Sequence, residues 1–396
     1  MLLEKTQRRL CRLLFCLGCL APTIALTGWS AVRMHPAYNE ALTAWASEEI
    51  GLRVTCDRLQ VPRPGVYRLE GVRLSDPQTF ASVGECGRVQ LQRSSDGWRF
   101  AADHIKVTEG QLLPILRKLA ERGLAVEAEV GQLELEGAYS LTSVRCVLGG
   151  NDRQLKIHSL EGVDLELSCP AAQSVRLAVE SDRYPLPCGW LPCPPLDGVA
   201  VGSVSLLGRF ETTLSDDRYA NRGRFVGSLD LGQADHEDAS WARGACRVRE
   251  LTWTGPRVDR LDARLELRDG VLARRLVLGM NHALLCDSFP ALGEHFEDAS
   301  QTGPIPFRQL ACEIEFDKNG LSLGAGCGEI DGDLRGGRLA YAVLQHDGMA
   351  LLKEPSQRHL PAASLVRALW HGVEAELPAS STAQSFASRL PQSVAD

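Results

Sequence analysis

The sequence predicts a mainly β protein: an elongated, curved antiparallel sheet, groove-like or sandwich-like, with a few short helices and one N-terminal transmembrane helix. Three observations predict it: a charge-free apolar segment near the N-terminus, apolar residues at every second position along much of the chain, and Asp-Gly or Asn-Gly pairs between those stretches. Alternation is typical of strands with one buried and one solvated face. The dipeptides favour hairpin turns because both residues tolerate positive φ.

The N-terminal apolar segment spans residues 13–32 and follows a basic flank. As a helix it extends about 30 Å, the thickness of a bilayer's hydrocarbon layer. It is longer than the apolar region of a cleaved signal, roughly 7–15 residues, and Trp29 stands at its outer end, as interfacial aromatics do. A poor cleavage site at 27–31 keeps a signal peptide as the alternative. The basic flank predicts a single-pass protein of the inner (cytoplasmic) membrane with a periplasmic or extracytoplasmic C-terminal domain.

Residues 1–34 are therefore expected to form a cytoplasmic basic flank and a transmembrane anchor, and the rest of the chain is expected to form two β-rich segments. Residues 35–184 form the first, with short helices, and residues 196–377 form the second, which ends in a helix. A Pro-rich break at 185–195 separates them, and residues 378–396 are expected to be a disordered tail because they are rich in Ser, Ala and Gln.

Helical spacing of apolar residues predicts helices over 36–50, 110–122 and 361–373. Hairpin turns are predicted at six dipeptides: Asp96-Gly97, Asp197-Gly198, Asp269-Gly270, Asn319-Gly320, Asp331-Gly332 and Asp347-Gly348.

The chain contains 13 cysteines. Most of those beyond the apolar segment stand at apolar positions of strand patterns, where a reduced cysteine packs as a small hydrophobe. An exported domain permits disulfides, and Cys188 with Cys193, in the Pro-rich stretch, is the best candidate pair by proximity.

Composition and motifs argue against several functions. The net charge of −7 is spread along the chain, so no basic surface for nucleic acid is expected. The acidic clusters at 235–238 and 294–298 contain possible cation ligands, but neighbouring strand residues point to opposite faces, so solvated loops are the better interpretation. Neither a phosphate loop nor a nucleophile motif is present. We therefore expect no catalytic residue, no cofactor and no metal.

A resemblance to a known family begins at residues 52–93. A strand ends at Val61, the segment Pro64-Gly65-Val66-Tyr67-Arg68-Leu69-Glu70-Gly71-Val72-Arg73-Leu74-Ser75-Asp76-Pro77 follows, and a strand with Val89 and Leu91 comes next. With the preceding apolar and amphipathic helices, this unit resembles the start of AsmA-like envelope proteins, which are related to bridge-like lipid-transfer proteins of repeating β-groove architecture. The segment 265–272 (LELRDGVL) is similar to strand pairs common in that family. The resemblance implies a curved sheet with an apolar concave face and a role in lipid movement or outer-membrane homeostasis.

A sheet with one continuous apolar face must cover it with a second layer, a partner or acyl chains. The first hypothesis is therefore a non-catalytic protein of lipid handling or envelope assembly, with membrane lipid or acyl chains as partners. The alternative is a structural or scaffolding envelope protein that binds other proteins through closed β domains. An exported enzyme or carbohydrate-binding module is the third hypothesis. The apolar stripe predicted to face lipid comprises Val163, Leu165, Leu167, Leu261, Leu265 and Leu267.

Overall fold

The structure is a computed structural model, and it describes residues 2–95, 97–108, 111–122, 125–135, 139–149, 153–171, 174–193, 204–215, 221–235, 239–282, 286–288, 303–327, 329–330, 333–334, 339, 341–357 and 359–360. Over these residues the predicted mainly β, mostly antiparallel fold is confirmed. Residue contacts divide the chain into two units, Met1–Arg153 and Gln154–Asp396.

The first unit begins with a continuous helical segment. Helix α1 (Leu2–Phe15) passes through a π-helical turn (Cys16–Leu20) into α2 (Ala21–Met34). The stretch Gln7–Val32 has a mean hydropathy of 1.8 and is nowhere buried. Its Thr23 and Thr27 hydroxyls donate to carbonyl oxygens one turn earlier, so neither needs water as an acceptor. By length and composition this helix suits a single membrane span or a signal sequence.

Helix α3 (Pro36–Ile50) follows after one extended residue, His35, whose Nδ1 accepts from the N–H of Ala37. It ends at Gly51, where a φ of +75° favours glycine. The predicted helix over 36–50 is confirmed. The Ser47 hydroxyl accepts from the N–H of Val54 and so joins α3 to the first strand.

Seven strands form the sheet of the first unit. Strands β1 and β2 both pair with β3, and the order then runs β3–β4–β5–β6–β7. The pairs are antiparallel except β5–β6, which is parallel because helix α4 (Leu112–Arg122) carries the chain back across the sheet. The strands are β1 (Arg53–Thr55), β2 (Arg58–Arg63), β3 (Val66–Ser75), β4 (Ser82–Ser94), β5 (Gly97–Val107), β6 (Val126–Leu135) and β7 (Tyr139–Gly149).

The core of this unit lies between α3 and the apolar face of the sheet. Ala46 and Ile50 of α3 pack against buried residues of β1 and β3–β5, among them Leu69 and Val89. The side chain of Arg122, at the end of α4, donates to the carbonyl oxygen of Glu48 near the end of α3. The two helices are thereby linked.

Asp76 organises the turn between β3 and β4. Its Oδ1 accepts from the backbone N–H groups of Gln78 and Thr79, each at 2.9 Å, and its Oδ2 lies 3.3 Å from Nζ of Lys118 on α4. The two backbone bonds, with a smaller contribution from Lys118, lower the pKa of Asp76 from 3.8 to about 2.

We expect acid to weaken this turn through Asp76. Because its folded pKa lies below the unfolded value, the ionised carboxylate stabilises the fold above pH about 4 and loses that effect as the pH falls toward about 2. Thermal melting should therefore show a steeper fall of Tm between pH 5 and pH 2.5 in the wild type than in Asp76→Asn. Parallel pH profiles for the two proteins would contradict the assignment.

The second unit is a long antiparallel meander. Strands β8 to β14 pair in chain order, β14 pairs with β16, β16 pairs with both β17 and β20, and β21 lies between β20 and β15. The strands are β8 (Gln154–His158), β9 (Val163–Ala171), β10 (Ser174–Pro187), β11 (Ser205–Ser215), β12 (Arg222–Asp235), β13 (Ala239–Thr254), β14 (Arg257–Leu272), β15 (Asp287–Ser288), β16 (Ile305–Asp317), β17 (Gly320–Ala325), β18 (Glu329–Ile330), β19 (Asp333–Leu334), β20 (Ala342–His346) and β21 (Met349–Lys353). Strands β18 and β19 form a separate pair, and helix α5 (Arg274–His282) follows β14.

The predicted hairpin turns have different outcomes. Asp347-Gly348 joins β20 to β21, and Asp347 has a φ of +49°. The β16–β17 turn consists of Lys318 and Asn319, and Gly320 is the first residue of β17. The turn predicted at Asp269-Gly270 is wrong, because both residues lie inside β14. Asp269 has a φ of +52° there, and the register of β14 with β16 stays continuous on either side of it.

Several predictions fall outside the described residues: Asp96, the pairs at 197–198 and 331–332, most of the cluster 235–238, all of the cluster 294–298, the helix at 361–373 and the tail at 378–396. The helix predicted over 110–122 is confirmed as α4, which begins at Leu112. Of the Pro-rich stretch 185–195, residues 185–187 belong to β10, and a 3-10 turn follows over Cys188–Trp190. Residue contacts place the boundary between the two units after Arg153, and the predicted break at 185–195 stays a prediction.

Candidate functional site

The main feature of the second unit is an apolar row that crosses its sheet. Opposed residues on neighbouring antiparallel strands point to the same face, so strand register shows which side chains meet. Followed from β8 to β17 and on to a single bridge at Leu360, one line of opposed residues is apolar at each step. We call these ten residues the apolar row: Ile157, Leu165, Val179, Phe210, Phe225, Leu251, Leu261, Phe316, Leu321 and Leu360.

Shorter rows lie on the same face. One begins at Leu155, passes through Leu167 and Leu177, and reaches Trp253 across Thr212 and Gly223. Others contain the remaining predicted stripe residues: Val163 opposes Ser181, Leu265 opposes Cys312, and Leu267 opposes Leu310. The six predicted stripe residues therefore lie in rows of one apolar face, an alignment across strands that sequence spacing alone does not show.

Most of these side chains are buried. The exposed fractions of Val163, Leu165 and Leu167 are 5%, 9% and 1%. Leu267 is buried in a cluster with α5, β16, β20 and β21, and the half-buried Leu265 packs against that cluster. Leu261, also half-buried, packs with Phe316, Leu321 and Leu360. In this conformation protein atoms cover the stripe, and lipid would have to displace them to reach it.

Trp253, in the shorter row that begins at Leu155, packs across a glycine. Its ring centroid lies 5.5 Å from that of Phe210, two strands away. Gly223 stands between them, and a Cβ there would lie 2.0 Å from Cζ2 of the indole. Trp253 is 1% exposed, and its Nε1 has no hydrogen-bond partner among the residues that the structure describes. The glycine is required because the indole occupies the space of a side chain.

The opposite face of the sheet is charged and exposed to solvent. Arg249 donates to Asp262 at 3.1 Å and to Glu313 at 3.0 Å, and Glu313, followed by Asp262, raises the pKa of its guanidinium. Arg260 lies 3.1 Å from Glu250. These side chains are substantially exposed, so each pair contributes little stability. The sheet thus has one apolar and one ionic face.

The cysteines of the second unit pack mainly within the apolar face. Burial raises the pKa of the Cys188, Cys286 and Cys327 thiols to about 12. Thiols of this kind are poor nucleophiles at neutral pH. Cys188 is a free thiol in this structure, and Cys193 lies buried near it. The disulfide between them stays a prediction.

A cleft lined by both polar and apolar residues also lies in the second unit. It has a volume of about 640 Å³, and its lining includes Asp287, Tyr341 and Lys353. Lys353 Nζ lies 3.9 Å from Asp287, whose carboxylate also accepts from the Ser356 hydroxyl at 2.6 Å. Within the described residues, three or more His, Cys, Asp or Glu side chains nowhere come together as a possible metal site.

No family model, curated protein or solved structure matches the chain. The geometry of the apolar face and of the N-terminal helix is therefore the basis for a functional proposal.

Proposed function

We propose that this chain is a membrane-anchored, non-catalytic protein of lipid handling or envelope assembly, with its C-terminal part outside the cytoplasm. The apolar row carries the proposal. Ten opposed apolar residues, spread over many strands, form an apolar face. Acyl chains can pack against such a face without a specific polar group of the protein to bind them.

Two further observations support it. The stretch Gln7–Val32 is long and apolar enough to hold the chain in a bilayer, and the basic residues before it favour a cytoplasmic N-terminus. The resemblance to AsmA-like envelope proteins implies the same placement in the inner membrane and the same lipid role.

Scaffolding is the second candidate, and the burial of the row favours it. Phe210 and Phe225 are only 1% and 2% exposed, as is expected of residues in a closed core. A protein with such a core would bind partners through its charged face and strand edges. Lipid handling requires that the covering layer open.

Photo-crosslinking separates the two functions. The full chain, reconstituted in vesicles that contain a phospholipid with a diazirine on its acyl chain, should be labelled on row residues such as Val179 and Phe225. Val226 is a matched control, because it is apolar, 37% exposed and on the other face of the same strand. Label on the row but not on Val226 supports lipid handling. Label restricted to residues 7–32 would refute it and leave scaffolding.

A further inference from the structure

Three aromatic rings meet in the first unit. The ring of Trp98, on β5, lies 5.6 Å from that of Trp45 on α3 and 6.1 Å from that of Tyr67 on β3. Trp45 is 41% exposed, and the other two are half-buried. We call these three residues the aromatic cluster.

The chain tethers this cluster close to the end of the apolar helix. Only His35 separates α2 from α3, and Trp45 lies ten residues beyond His35, about 15 Å along a helix. The interfacial layers outside a bilayer's hydrocarbon core are several Å thick on each side. If Gln7–Val32 spans a bilayer and α3 lies along the bilayer surface, the cluster reaches the lipid headgroups.

The exposed residues of α3 fit a surface position. Ala37, Ala41 and Ala44 present small apolar side chains, with Glu40 and Glu48 among them. At 100° per residue, Trp45 falls at the border between this exposed face and the face packed on the sheet. A helix in this position can place its Trp45 edge in lipid while both carboxylates stay in water.

Two arginines stand at the same end of the sheet. Arg93 opposes Trp98 in the β4–β5 pair, and its N–H donates to the carbonyl oxygen of Gly65 in the β2–β3 turn. Arg63, exposed like Arg93, stands on the other side of that turn. Arginines at the end of a sheet that also carries tryptophan and tyrosine rings suit anionic headgroups, because the cations attract phosphate and the rings settle at the apolar–polar boundary.

We propose that the aromatic cluster, with Arg63 and Arg93, is a membrane-contact site that holds the first unit against the anionic headgroup layer of the bilayer in which α1–α2 is anchored. The site rests on the membrane anchor of the proposed function and not on lipid binding by the apolar row. The contact site places α3 at the lipid surface and does not fix the position of the second unit.

Fluorescence quenching by lipid tests the site. The full chain is reconstituted in phosphatidylcholine vesicles with a fifth phosphatidylglycerol and a headgroup-region nitroxide phospholipid. We expect Trp45→Phe and Trp98→Phe each to lower the quenchable fraction of tryptophan emission. Trp241→Phe, in the second unit, should not lower it. Replacing Arg63 and Arg93 together by Ser should reduce quenching of the cluster in these vesicles but not in phosphatidylcholine alone.

The outcomes distinguish this site from the other proposals. If Trp45→Phe and Trp98→Phe remove only emission that the nitroxide lipid does not quench, the contact site is refuted. Trp29→Phe reports the anchor separately, since Trp29 lies within α2. The photo-crosslinking result on the apolar row is independent of both.

Discussion

Phe225→Ala is expected to lower the free energy of unfolding by about 3–5 kcal/mol, the usual cost of deleting a buried phenyl ring. Phe225 is 2% exposed and stands near the middle of the apolar row, opposed by Phe210 on one side and Leu251 on the other. Its removal leaves a cavity that these neighbours, held in their strands, fill only in part. Urea denaturation of the full chain in detergent micelles, followed by circular dichroism, measures the loss.

The neighbouring residue provides the control for Phe225. Val226 follows Phe225 in β12, but its side chain points to the opposite face of the sheet and is 37% exposed. Val226→Ala should change the unfolding free energy by no more than about 0.5 kcal/mol. Similar losses for both variants would mean that the two faces of β12 are not distinguished by burial.

Gly223→Ala is expected to lower the unfolding free energy by about 1–3 kcal/mol through overpacking. The new methyl group would lie 2.0 Å from Cζ2 and 2.4 Å from Cε2 of Trp253. The indole is held against Phe210 and is 1% exposed, so it cannot move aside without disturbing the row. The same denaturation measurement applies.

Gly87→Ala is the matched control for Gly223→Ala. Gly87 also lies within a strand, β4, but a Cβ there meets no atom within 4 Å. The substitution should cost nothing, or stabilise by up to about 1 kcal/mol, because alanine restricts the unfolded chain more than glycine does. In a Trp253→Phe background, Gly223→Ala should cost less. An unchanged cost would contradict the steric account.

Much of the strand pattern was predictable because side chains in a strand alternate between faces. The stretches around Val163, Leu261 and Leu321 are strands, as their spacing predicts. Alternate residues are buried around Val163, whereas Leu261, Leu265 and Leu323 are half-buried. The parallel β5–β6 pair was not foreseen. An amphipathic helix between two strands does not reveal whether the second strand returns beside the first, and here α4 carries the chain to a parallel position.

The candidate site was predictable only strand by strand. The members of the row belong to different strands, and their alignment depends on bulges that sequence spacing does not show. The pairing of β13 with β14 illustrates this, because its register shifts between Val248 and Glu250, beside the row residue Leu251. Gly223 and Trp253 were missed for a related reason: their contact arises from the register of β12 with β13. A large aromatic in one strand and a glycine in the next was the one available signal.

Hydroxyl-radical footprinting of the native full chain, resolved by mass spectrometry to single residues, tests most directly whether the register of the second unit places its apolar residues on one covered face. We predict that Phe210, Phe225 and Phe316 are modified slowly in the native chain and rapidly in urea, while Val226 and Leu160, which are exposed, are modified rapidly in both. Rapid native modification of the three phenylalanines, at the rate of Val226, would contradict a shared face.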